Sequence, residues 1–227
     1  MLNVEKIEIN VNNLSHITNT YLVYNENLDA ILIDPADESK KIINKIEELN
    51  LNLKYVFITH GHADHIGALN DIISKYHVKC YVHELDYEKI FDNGKNCSMM
   101  LNSMYLKIDD ENVSYIETIK DNTRLFLGDY NFLAIHTPGH TNGSMCLYEE
   151  NEKILFTGDT IFHNCYGRCD LYSSSFEDMC KSLKKIFCMF DSDEKIMIYP
   201  GHNEICSLKE AENKIKLLLK ISKKITL

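Results

Sequence analysis

The stretch ITHGHADHIGALN, from Ile58 to Asn70, sets three histidines and an aspartate into six residues, His60-x-His62-x-Asp64-His65, directly after the apolar run Val56-Phe57-Ile58. Such a run reads as a short buried strand. Imidazoles and carboxylates are costly to bury unless they are paired or hold a metal. Both are good ligands for zinc and similar divalent ions. On an extended or turning backbone, His60 and His62 can aim both rings at one ion. Asp64 and His65 follow on the turn into the next helix and can face a second ion beside the first.

Two adjacent ions need about seven protein ligands, and this cluster supplies four. The other three are expected at strand ends that join a glycine to a ligand: His140 in TPGHTNGS, Asp159 in LFTGDT and His202 in IYPGH. The Asp159 carboxylate is suited to bridge both ions. The three prolines, Pro35, Pro138 and Pro200, each follow or break a strand-like run. Several strands thus end in tight loops that carry histidine or aspartate, where function tends to lie.

Around these motifs the pattern alternates. KIEIN, TYLVYN and AILIDP read as strands, and ESKKIINKIEELN as a helix with Ile42, Ile43, Ile46 and Leu49 on one face. KYVFITH is a strand, IGALNDIISKYH a helix and KCYVHE a strand. Residues 85–115 are ambiguous and loop-rich. The second half repeats the scheme, with strands in TRLFLGDYNFLAIHT, SMCLYEE and KILFTGD, a helix over SSFEDMCKSLKKIFCMF, and the strand KIMIYPGH. Ser175 and Asp178 mark one helix start. Ser207 and Glu210 form a capping box at the last helix. Strands early in each half, followed by helices, suit an α+β fold: two packed sheets with helices outside, a four-layer αββα sandwich. Neither a linker nor a repeat divides residues 1–227, so a single domain is expected.

The 227 residues are 44% hydrophobic and 26% charged, with a net charge of −10. Only Arg124 and Arg168 are arginines, and there is no basic footprint for a nucleic acid. The apolar runs AILI and IFCMF are far too short to span a membrane. The start, MLNVEKIEIN, has no signal-peptide core, and a cytoplasmic protein is expected. Eight cysteines without a C-x-x-C pair read as reduced thiols. A redox pair or metal contact at Cys165 and Cys169 is the minor reading.

The pieces THGHADHIG, HTPGHTNGS, LFTGDTIF, GRCDL and YPGH, with Ile33-Asp34-Pro35 before the first helix, resemble the metallo-β-lactamase superfamily of hydrolases. Within it they look like the compact glyoxalase II-like branch. The resemblance implies the αββα fold with the site at one edge. It also implies a first metal on His60, His62 and His140, a second on Asp64, His65 and His202, and Asp159 as the bridge. Zinc is the expected metal, with iron or manganese as alternatives.

Two such ions lower the pKa of a shared water toward neutrality, and the hydroxide attacks a polarised carbonyl. Asp64 and Asp159 are the expected catalytic carboxylates, Asp64 orienting the hydroxide. A small acyl-thiol ester is the expected substrate, because a thiolate leaves with little acid help. Arg168, in the GRCDL segment, either holds a substrate carboxylate or pairs with Asp170. The competing readings are a mononuclear iron persulfide dioxygenase using His60, His140 and Asp159, and a phosphodiesterase. Only 25 residues follow His202, fewer than the glutathione-binding tail of glyoxalase II enzymes, so the thiol carrier stays open.

Lone histidines are ordinarily structural or exposed, and that is the reading for His16, His77 and His83. His136 is expected to support the site rather than touch the metal. KNCSMM, Lys95 to Met100, resembles an Asn-x-Ser segment near the pocket, but a methionine-bearing core loop is the preferred reading.

Overall fold

Along β3 (Asp29–Ile33), Ala30 and Leu32 face one core while Ile31 and Ile33 face another. The same division runs through β10 (Ile154–Gly158), where Leu155 faces one way and Ile154 and Phe156 the other. Side chains alternate across a strand, so a strand buried on both faces must be covered on both faces. The computed structural model, which describes residues 1–13, 17–101, 104–190 and 195–225, meets that demand with four layers.

One sheet has the order β1-β2-β3-β4-β5-β6. Its strands are β1 (Asn3–Asn10), β2 (Ile17–Tyr24), β3, β4 (Asn52–Phe57), β5 (Lys79–His83) and β6 (Ile116–Ile119). β3 to β6 run parallel to one another. The other sheet has the order β12-β11-β10-β9-β8-β7, built from β7 (Arg124–Leu127), β8 (Tyr130–His136), β9 (Met145–Glu149), β10, β11 (Met197–Pro200) and β12 (Cys206–Ser207). The middle core, with Val23, Ile31, Ile33 and Phe57 against Phe132, Ala134, Leu147 and Phe156, lies between the sheets. Helices α1 (Ser39–Glu48) and α3 (Leu69–Tyr76) cover the outer face of the first sheet through Ile42, Ile46, Leu69, Ile72 and Ile73. Helices α4 (Phe176–Met189) and α5 (Leu208–Ile225) cover the second through Met179, Leu183, Ile186 and Ile215. The expected αββα sandwich is what the chain forms.

Both helix starts have the expected chemistry. The Asp178 amide donates to Ser175 Oγ at 3.2 Å. Ser207 and Glu210 exchange bonds, Ser207 N–H to Glu210 Oε2 at 3.1 Å and Glu210 N–H to Ser207 Oγ at 3.2 Å. Each such cap contributes about 1 kcal/mol.

The helix expected over IGALNDIISKYH forms as α3, and a separate one-turn helix, α2 (Ala63–Ile66), precedes it. Between them the Ala68 amide donates to the Pro35 carbonyl at 2.9 Å, and a Cβ at Gly67 would lie 2.1 Å from the Ala36 carbonyl oxygen. Asp64 and His65 therefore sit inside α2 rather than on the turn before it. β6 lies in a stretch without clear alternation: only Ile116 and Ile119 of its four residues are buried. No helix among the described residues is long and apolar enough to cross a membrane.

Phe132 is fully buried between the sheets, on β8. Phe132→Ala is expected to cost about 3–5 kcal/mol. The measurement is the urea midpoint at an unchanged slope; a shift worth less than about 1 kcal/mol would show that the intersheet layer is not a packed core.

Candidate metal centre

The site lies where strands end together. β3 and β4 run parallel in the first sheet. In the second, β10 runs parallel to β11, and β8 points the same way because β9 is antiparallel to both β8 and β10. The carboxyl ends of all five strands meet at one edge, the usual crevice for ligands in open sheets. They deliver Asp34 from β3, His60 to His65 from β4, His140 from β8, Asp159 from β10 and His202 from β11. The edge is stitched across the sheets: Asn19 N–H donates to the Gly201 carbonyl at 2.7 Å, and Met145 N–H to the Thr59 carbonyl at 2.8 Å.

All seven residues named from the sequence converge here. Their donor atoms form three overlapping groups: His60, His62 and His140; His60, His65 and Asp159; and Asp64, His65 and His202. The rings of His60, His62 and His140 stand nearly perpendicular to one another, at 81° to 86°, with centroids 4.6 to 4.8 Å apart. His62 Nδ1 is 2.9 Å from His140 Nε2. On the other side His65 Nε2 is 3.3 Å from His202 Nε2, and His202 Nε2 is 3.5 Å from Asp64 Oδ2. Asp159 lies between, Oδ1 3.4 Å from His65 Nε2 and Oδ2 3.3 Å from His140 Nε2. Ligands bound at zinc's usual length of about 2.0 Å in a tetrahedron are about 3.3 Å apart, so this spacing suits ions at the two centres. His60 Nε2 and Asp159 Oδ1 are buried without a hydrogen-bond partner, a costly state that a cation relieves.

The outer nitrogens decide which ring atoms point inward. His65 Nδ1 bonds Asp34 Oδ2 at 2.8 Å, His140 Nδ1 donates to the Arg168 carbonyl at 2.9 Å, and His202 Nδ1 donates to the Ile17 carbonyl at 2.7 Å. Asp34 also accepts the Thr59 amide and hydroxyl, each at 2.7 Å. With its hydroxyl hydrogen spent on Asp34, Thr59 Oγ1 accepts from His60 Nδ1 at 3.1 Å. In all four rings Nε2 remains for the centre, the arrangement that orients metal-binding imidazoles.

Close packing leaves no room for larger residues. A Cβ at Gly201 would lie 2.5 Å from Asp159 Oδ1 and 2.6 Å from His65 Cε1. This is why a glycine precedes the ligand in YPGH.

The electrostatics divide the centre. Burial, reinforced by the neighbouring imidazoles, holds His60 neutral far below the ordinary histidine value, and burial with His140 lowers His62 to about 3. Burial also opposes a proton on His65 and His202. There, however, carboxylates win: Asp159, Asp34 and Asp64 raise His65 well above the usual value, and Asp159 with Asp64 pushes His202 up to about 10. Burial disfavours the Asp159 charge, but His202, His65 and His140 outweigh it and hold that carboxyl well below the usual range.

The centre opens into a cleft of about 1070 Å³ that Lys6, Cys97, Met100, Phe162, Cys165 and Arg168 help line. Arg168 pairs with Asp170 through two bonds of 2.7 and 2.9 Å, both side chains exposed. KNCSMM is not a methionine core loop. Asn96 and Ser98 are its buried members, while Met99 and Met100 are 66% and 63% exposed, because the loop crosses the cleft rim. Cys165 and Cys169 are free thiols, Cys165 on the cleft and Cys169 against the outer core of the second sheet. His136 bonds the Asn142 carbonyl at 2.9 Å, beside the His140 loop, and stacks on buried His83 at 4.0 Å. His77 packs against Tyr115. His16 lies outside the described residues.

Asp34, Thr59, Asp86 and Lys89 are buried supports that no sequence motif singled out as such. Asp34 had one signal, an aspartate closing an apolar strand before proline. Asp86 sits in the stretch read as ambiguous.

The chain belongs to the metallo-β-lactamase superfamily, whose profile matches residues 15–202. This is a superfamily of generally hydrolytic enzymes with a histidine and aspartate metal site. Among individual proteins, the chain is similar to the hydroxyacylglutathione hydrolase GloC of Haemophilus influenzae, 29% identical over 194 residues that cover 84% of this chain and 87% of that one. In fold it resembles the BLEG-1 B3 metallo-β-lactamase, with a TM-score of 0.84 at 24% identity, over 95% of this chain and 99% of the other. It also resembles TTHA1623, solved in a di-iron-bound form, with a TM-score of 0.77 at 23% identity, over 94% and 99% of the two chains.

Proposed function

We propose that the protein is a binuclear metal-dependent hydrolase of a small acyl-thiol ester. The observation that carries this reading is the convergence of two ligand triads, His60-His62-His140 and Asp64-His65-His202, on either side of Asp159. Two divalent ions in such a site make water nucleophilic at neutral pH and draw charge from a carbonyl. Asp159 holds the two halves together through its separate oxygens. Asp64, on the cleft wall, would help hold the second ion and orient the attacking water. The resemblance to a protein named hydroxyacylglutathione hydrolase supports a thioester as the substrate class.

Arg168 is positioned at the cleft to meet a substrate carboxylate by exchanging it for Asp170. Both partners are exposed, and exposed pairs hold weakly enough for that exchange. Zinc suits the imidazole-rich donor set; iron is the metal named for the similar TTHA1623. The absence of a C-x-x-C pair among the eight cysteines of the sequence supports a reducing, cytoplasmic setting.

The test is metal content of the purified chain, with thioester cleavage and persulfide-dependent oxygen uptake assayed side by side. Two ions per chain and thioester turnover are expected. One iron per chain, with oxygen consumed and no ester cleaved, would replace this reading by the dioxygenase that needs only His60, His140 and Asp159.

A further inference from the structure

Four of the five clustered histidines are held through their outer ring nitrogen, to Thr59, Asp34, Arg168 and Ile17. His62 is not. Its Nε2 is buried without a hydrogen-bond partner, while Nδ1 faces His140. Its ring must therefore be aimed by its chain. The amides on either side are both tied: Gly61 N–H donates to Asp86 Oδ2 at 2.7 Å, and Ala63 N–H to the Asn96 carbonyl at 2.8 Å.

Asp86 also grips the second ligand loop. The same Oδ2 accepts Thr141 Oγ1 at 2.7 Å, next to His140. Its Oδ1 accepts Lys89 Nζ at 2.6 Å, and that ammonium donates onward to Asn142 Oδ1 at 2.6 Å and to the Leu85 carbonyl at 3.0 Å. Both side chains are buried, Asp86 at 0% and Lys89 at 2% exposure. Gly143 is packed onto the pair, for a Cβ there would meet Asp86 Oδ1 at 2.4 Å. Two ligand loops, far apart in sequence, rest on one buried ion pair.

We infer that Asp86, with Lys89 behind it, is the positioning element of the first triad, setting His62 against His140 so that this half of the centre can hold its ion. The inference rests on the binuclear reading above. It separates the halves of the site: Asp34 orients the second triad through His65, and Asp86 orients the first through backbone and Thr141. A buried pair of this kind contributes register more than stability.

The experiment is zinc titration of the metal-free protein against a chelating dye, together with thermal unfolding of the metal-free chain. Two double variants are compared. Asp86→Ala with Lys89→Met removes both charges and the acceptor. Asp86→Asn with Lys89→Met removes both charges but leaves an oxygen for Gly61 N–H and Thr141 Oγ1. The alanine pair is expected to lose about 10- to 100-fold in affinity at one of the two sites and nothing at the other. The asparagine pair is expected to bind both ions as the wild type does. If the two variants bind zinc alike, whether both tightly or both weakly, the positioning role is overturned.

Should the alanine pair fail to fold, Thr141→Val carries the same comparison, since it deletes the hydroxyl that reaches Asp86. Ser144→Ala, which removes that hydroxyl's other partner at 2.8 Å, is the control expected to bind both ions. Unchanged zinc binding in Thr141→Val would count against the inference. If the wild type itself binds one ion, the binuclear reading fails. The variants then decide whether Asp86 positions the site of that single ion.

Discussion

Asp159→Ala is expected to lose one of the two ions and nearly all turnover. Asp159 is the side chain that reaches both halves of the centre, with Oδ1 beside His65 and Oδ2 beside His140 and His202. Its replacement leaves each triad with three donors and nothing to tie them. Removing one preorganised electrostatic group from an active site costs about 10²–10³ in rate. Losing the bridge is expected to cost at least that, because it disturbs both ions at once. Metal analysis and kcat on the same preparation provide the check. A variant that keeps two tightly held ions and more than about a tenth of its turnover would show that Asp159 is not the bridge.

Acid is expected to strip the centre unevenly. In the metal-free chain, His60 and His62 are already neutral at pH 7, held down by burial. His65 and His202 keep a proton there, because Asp34, Asp64 and Asp159 surround them. Their Nε2 atoms are 3.3 Å apart, so they titrate as one unit rather than as two independent groups. An ion entering the second triad must displace that proton, whereas His60 and His62 have none to give up.

The sign follows from the raised value. Below about pH 10 the metal-free pair is protonated, so affinity at the second triad falls as pH falls. With at least one proton displaced, the fall is about tenfold or more per pH unit, roughly 10³ between pH 9 and pH 6. The same proton contributes stability to the metal-free fold in full below the unfolded value of about 6.5, and that contribution is lost as pH rises toward about 10. Calorimetry of zinc binding in buffers of different ionisation enthalpy measures the release directly. No proton released, or equal pH dependence at both sites, would contradict this division.

The amino-acid sequence by itself determined the layers and singled out the candidate ligands. Period-two alternation in strands such as AILI, with helical faces carrying Ile42, Ile46, Ile72 and Ile73, dictates sheets covered on both sides. Histidine and aspartate at the ends of apolar strands stand out because burial penalises them without a cation. His60, His62, Asp64, His65, His140, Asp159 and His202 were therefore legible one by one.

The supports beneath them were not. Asp34, Thr59, Asp86 and Lys89 are common residue types, and what distinguishes them is a partner elsewhere in the fold: Asp34 reaches His65, 31 positions on, and Lys89 reaches Asn142, 53 positions on. The His202 ring is fixed by a main-chain carbonyl 185 positions away, which no side-chain pattern can reveal. The methionines of KNCSMM look like core residues, yet the path of their loop leaves both exposed and sets Met100 on the cleft. Ligand chemistry is a property of single residues and survives in one dimension; orientation is a property of contacts, and exists only once distant strand ends are brought together.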